Sequence, residues 1–108
     1  MAFQKTFTLP SGVSGNYVRL IAYRWDRSAR EATAIFALYL DAQAAASGKQ
    51  AIAPTLAKIR LAGDQFDAHL GNAVLAGNDI LAQLYIAAKT EPLSCDFGDD
   101  AFANAQDV

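Results

Sequence analysis

Two strand-like runs, residues 17–25 and 31–41, flank the polar connection 26–30, which has the length of a hairpin loop. Strict alternation in the first run puts Tyr17, Arg19, Ile21, Tyr23 and Trp25 on one face. It puts Val18, Leu20, Ala22 and Arg24 on the other. Both faces carry apolar residues, so this strand is expected to be central and covered on both sides for part of its length. The second run is alanine-rich, which would also suit a helix. Thr33, Ile35, Phe36 and Tyr39 are strand formers with a hairpin partner at hand, and they favour a strand.

The remaining segments fill in around this hairpin. Residues 3–9 alternate apolar and polar and read as a strand, broken by Pro10, Ser11 and Gly12. Residues 41–48 read as one short helical turn, with Asp41 as its cap and Gly48 ending it in the left-handed conformation. Residues 52–61 form another strand candidate, in which Pro54 must lie at an edge or near the start. Residues 66–75 read as short helical pieces. Residues 78–89 are the principal helix: Leu81, Leu84, Tyr85 and Ala88 recur at helical spacing. Asn78 is its expected cap, Lys89 suits its last turn, and Pro92 stops it. The fold expected is α+β, a mainly antiparallel, hairpin-based and sandwich-like sheet with one principal helix in the C-terminal half. Residues 1–92 make a single β-rich domain. Residues 93–108 make a tail whose Phe97 and Phe102 are costly to leave in water, so it docks on its own domain or on a partner.

Apolar residues make up 53% of the 108 positions, but 23 of these positions are alanine, so the core is thin and open to completion by neighbouring chains. The net charge of -2 argues against a general nucleic-acid binder. That charge is unevenly distributed: residues 1–60 carry eight Lys/Arg and three Asp/Glu, residues 61–108 one Lys and eight Asp/Glu. Either the acidic half folds back on the basic half of the same chain, the preferred reading, or an acidic surface of one copy faces a basic surface of the next. The longest mostly apolar stretch, residues 32–40, falls far short of the roughly 20 residues of a membrane span. The N-terminus lacks the apolar region of a signal peptide, so the expected site of synthesis is the cytoplasm.

Candidate chemistry is sparse. The single cysteine, Cys95, excludes an intrachain disulfide and reads as a small apolar filler. One Cys and one His, His69, do not make a zinc site, and no motif joins them as a catalytic pair. Asp96, Asp99, Asp100 and Asp107 could recruit a hard cation, but their spacing matches no calcium loop and a solvated acidic turn is preferred. Arg19, Arg24, Arg27 and Arg30 among Tyr17, Tyr23 and Trp25 resemble a surface that stacks single-stranded nucleic acid. The shared face favours the aromatics as core or interface and the arginines as rim. No catalytic residue, cofactor or metal is assigned. Trp25, Phe97, Phe102, Asp107 and Val108 are the expected interface residues.

Several stretches together resemble small proteins encoded among the structural genes of tailed bacteriophages and prophages. They are the opening Met1-Ala2-Phe3 then Thr8-Leu9-Pro10-Ser11-Gly12-Val13, the polar hairpin after Tyr23-Arg24-Trp25, and the Ala/Gly/Lys segment ending at Gly48-Lys49-Gln50. The late helix Leu81-Ala82-Gln83-Leu84-Tyr85-Ile86-Ala87-Ala88-Lys89-Thr90 and the ending from Phe97 to Val108 complete the set. The chain departs from that family in having Leu84-Tyr85-Ile86-Ala87-Ala88 where the family has a second aromatic before the Lys, and in carrying an additional acidic run before the ending. The resemblance implies a non-enzymatic virion component, tail- or baseplate-associated and assembled in the host cytoplasm. Its implied partners are other virion proteins and copies of itself, with neither nucleic acid nor membrane. A head decoration protein and a phage regulator of a host protein are the alternatives.

Overall fold

The computed structural model describes residues 2–108; Met1, the first residue of the expected domain, lies outside them. Six antiparallel strands form one sheet: β1 (Phe3–Thr8), β2 (Ser14–Asp26), β3 (Glu31–Tyr39), β4 (Ala53–Ala62), β5 (Ser94–Cys95) and β6 (Gln106–Asp107). Their order is β5-β4-β3-β2-β1-β6. The helices are α1 (Ala42–Ala46), α2 (Asp64–Leu70), α3 (Asn72–Leu75) and α4 (Ile80–Thr90). The α+β expectation holds; the layer that packs on the sheet is made of helices and tail, not of a second sheet.

The sheet grows from the β2–β3 hairpin. Local signals place α1 as expected: Asp41 Oδ1 accepts the Ala44 amide at 2.7 Å, and Gly48 closes the turn at φ +77°. Pro54 is the second residue of β4, at a register shift where no ladder bond needs its missing N–H. The cap of α4 differs from expectation. Asp79 accepts the Leu81 amide at 3.1 Å, while Asn78 donates instead to the Val74 carbonyl. Leu84, Tyr85 and Ala88 are buried as their spacing requires, but Leu81, in the first turn, overhangs the rim of the sheet and stays 41% exposed.

The alternation in β2 does not run through. Leu20 pairs with Phe36 and Ala22 with Ile35, so Ile21 is an extra residue, a β-bulge. A one-residue slip exchanges the two faces beyond it. Val18, Leu20 and Trp25 therefore line the core side, where Trp25 stacks on Phe66 with ring centres 6.3 Å apart. Arg19, before the bulge, and Ala22 and Arg24, after it, share the outer side. The bulge falls where β1 stops: its last pair with β2 is Phe3 with Val18. Beyond that point Tyr85 supplies what a strand would, its hydroxyl accepting the Leu20 amide at 2.8 Å.

Four aromatic rings tie the layers together. Phe3 from β1, Phe36 from β3, Tyr85 from α4 and Phe102 from the tail meet with ring centres 5.1 to 6.0 Å apart. The tail is built into this domain. Its first strand, β5, lies on β4 and its last, β6, on β1, at opposite edges of the sheet. Five strand spacings, about 24 Å, separate them. Residues 96–105 run across the core face between the two edges, pinned by the fully buried Phe102. Ala2 and Val108 exchange both backbone hydrogen bonds at the far end.

Two outcomes follow from this packing. Phe102→Ala is expected to cost about 3–5 kcal/mol, read as a lowered denaturant midpoint, and a loss below about 1 kcal/mol would contradict the role of the tail as a strap. Burial pushes the Tyr85 hydroxyl above its ordinary 10.0. The folded chain then holds that proton more tightly than the unfolded chain, so its stability contribution is full below pH 10 and is lost as pH rises through the raised value. Denaturant midpoints taken between about pH 9 and about pH 11 should fall, and Tyr85→Phe should flatten that fall; an unchanged slope in the variant would contradict it.

Candidate functional site

The outer face of the sheet carries the most distinctive surface. Register across β2, β3 and β4 places Arg24, Thr33 and Arg60 in one outward row, and Ala22, Ile35 and Lys58 in the next outward row. Arg19 and Ala37 form another, and Tyr17 and Tyr39 meet edge to face at 6.5 Å beyond them. Ala37 is outward by register yet buried, because α1 turns back over that end of β2 and β3. The rest stays open. Ala22, Arg24, Thr33, Ile35 and Lys58, with Tyr23 at the rim, surround a shallow hollow of about 310 Å³. Its floor is apolar and half-buried at Ile35, and its charged margin is exposed.

Two acids share this face, and both are already engaged. Asp26 accepts the amides of Ser28 and Ala29 at the hairpin turn, and Glu31 pairs with Arg60 at 2.6 Å. Arg19, Arg24 and Lys58 make no ion pair among the described residues. The two halves of the chain therefore neutralise each other only in part. Arg30 reaches Asp64 and Asp67 on α2, and it is the one base that pairs across the two halves among the described residues. His69 and Lys89 pair within the acidic half, with Glu91 at 3.2 Å and Asp107 at 3.5 Å. Asp79, Asp96, Asp99 and Asp100 are exposed on the helix-and-tail side and pair with no base among the described residues. The result is a two-layer molecule with excess positive charge on the bare sheet and excess negative charge on the opposite layer.

The expected interface residues fall in different places. Trp25 is turned into the core side by the bulge and carries the Arg27 guanidinium over its ring at 5.2 Å. Phe102 is fully buried in its own chain, so it is an internal anchor with no surface left for a partner. Phe97 lies edge-on to Phe7 at 5.1 Å and keeps 37% of its surface exposed. Val108 is half exposed beside β1, and Asp107 pairs with Lys89. The arginines do not share a face with all three aromatics: Tyr17 goes outward with Arg19 and Arg24, while Trp25 goes inward. Lys58, Arg60 and Ile35 carry the same surface, and the sequence reading gave them no role there. Strand register was the missing signal.

Residues weighed for chemistry are occupied structurally. Cys95 sits in β5, where burial pushes its thiol up, away from the thiolate a nucleophile needs. His69 and Gln65 from α2 both contact the Glu91 carboxylate at the end of α4, Gln65 at 3.0 Å. This joins the two helices. A second groove, of about 370 Å³, runs between the open edge of β2 and α4, where Ile21, Tyr23 and Leu81 are exposed. The bulge and the flanking Arg19 and Arg24 interrupt that edge as a template for strand addition. No family model, no curated protein and no solved structure matches the chain.

Proposed function

We propose that this chain is a non-enzymatic structural component of a tailed-phage virion, tail- or baseplate-associated, that works by packing against copies of itself and neighbouring virion proteins. The family reading is supported by the resemblance of its opening, late helix and ending to small phage structural proteins. The observation that carries the mode of action is the charge division between layers. A bare basic sheet with an apolar centre and an acidic opposite layer give each copy two complementary faces. Such complementarity sets orientation and encounter between parts. An apolar centre with a polar rim is the usual anatomy of a protein contact. On this reading the chain resides in the particle after assembly in the host cytoplasm.

Quantitative mass spectrometry of purified particles tests the proposal. The chain should be present at fixed stoichiometry, and tail or baseplate fractions should retain it after heads are removed. Recovery with heads alone, at hundreds of copies, would replace this with a decoration role. Absence from particles would overturn it.

A further inference from the structure

The proposed role leaves open which surfaces meet. We propose that the basic hollow on the outer sheet face receives the acidic turn, residues 96–100, of a second copy of this chain. The inference rests on reading the chain as an assembly part, and it names the partner of that same face.

Three observations select this occupant. The first is charge: Arg19, Arg24 and Lys58 surround or flank the hollow with no ion pair among the described residues, and Asp96, Asp99 and Asp100 in the turn are equally unpaired. The second is the apolar content of each surface. The hollow has Ile35 at its floor, and the turn presents Phe97, 37% exposed, between its aspartates. Seating Phe97 toward Ile35 would bury both centres while the charges meet around them. The third is placement. The turn lies on the tail that crosses the core side of the sheet, and the hollow lies on the outer side, so one chain cannot close the contact on itself. Two bases lie near the turn and both are engaged: Lys5 Nζ donates to the Ala101 carbonyl at 2.7 Å, and Lys89, which shares a shallow hollow with Asp99 and Asp100, pairs with Asp107 at 3.5 Å.

A contact between two different surfaces of identical copies is heterologous, and it propagates to a ring or an open stack. The acid and base surfaces are used once each per copy, so the assembly grows by one copy at a time. Its strength should fall with salt, because the pairs lie at an exposed rim.

Charge exchange tests this directly. In low salt the full chain should sediment as species larger than a monomer, and raising the salt from about 50 to about 500 mM should weaken association by at least tenfold. R24E/K58E should be monomeric, since both its surfaces are then acidic. D99K/D100K should be monomeric for the opposite reason. Mixing the two should restore assembly, each surface of one variant now matching a surface of the other. Far-UV circular dichroism checks that both variants fold. Should either fail to fold, carbodiimide cross-linking of a mixture of ¹⁴N and ¹⁵N wild-type chains replaces the exchange, with mixed-isotope Lys58–Asp99 or Lys58–Asp100 links expected. A wild-type chain that stays monomeric in low salt overturns the proposal. So does a mixture that fails to assemble from folded variants, the absence of such links, or binding of a single-stranded oligonucleotide at Arg24 and Lys58 in place of self-association. Particle composition is read separately, so a virion protein that does not self-associate would be distinguished from a chain that is not in the virion.

Discussion

The bulge at Ile21 decides which side of the sheet each later residue of β2 faces. Before it, even-numbered residues point to the core; after it, odd-numbered residues do. Without that extra residue, Arg24 would lie on the core side with Val18 and Leu20, and Trp25 would stand in water beside Arg19. The cost of burying an unpaired guanidinium, several kcal/mol, makes that arrangement untenable. The bulge admits Trp25 to the core against Phe66 and releases Arg24 to the outer face. It also gathers Arg19 and Arg24, five positions apart, onto one surface with Lys58 and Arg60 from β4. The charge division between the two layers is therefore a consequence of backbone register.

The aromatic cluster does the corresponding work for the other layer. A chain with so many alanines has few large side chains for a core, and it concentrates them. Phe3, Phe36, Tyr85 and Phe102 come from four separate segments and close on one another. Phe102 brings the tail across the sheet, and the tail in turn covers both outermost long strands with short ones. Short edge strands are a common means of limiting unwanted strand pairing. The acidic turn is held on this strap by Leu93, whose amide bonds to the Asp99 carbonyl at 2.9 Å, and by the contact of Phe97 with Phe7. The same element thus completes the core and displays the negative surface.

Much of the fold was legible in the residues. The β2–β3 hairpin, the capped turn of α1, the place of Pro54 and the helix α4 each follow from local chemistry: alternation, a carboxylate cap, a missing amide, a 3.6-residue period. The surfaces were less legible, for physical reasons. Alternation cannot reveal a bulge, because the extra residue is set by what packs on either side of the strand. Strict alternation therefore puts Trp25 on one face with Tyr17, and Arg24 opposite to Arg19. Phe102 and Phe97 look alike in sequence, yet one is buried and the other is partly exposed, a difference fixed by the path of the tail between two sheet edges. The uneven charge of the two halves was visible. That most of it would remain unpaired within the chain depended on where the strands put each base.

The central claim is the face reversal at Ile21, and thiol accessibility tests it most directly. Cys95 is the single cysteine, so a Cys95→Ser background allows one new thiol at a time. Arg19→Cys, Leu20→Cys, Ala22→Cys and Arg24→Cys would each be reacted with a bulky maleimide under native conditions. The bulge predicts that positions 19, 22 and 24 react at similar rates, several-fold faster than position 20, which packs against the core and is only partly exposed. Uninterrupted alternation would pair 20 with 22 and 24 in protection and leave 19 alone reactive, and that pattern would contradict the account.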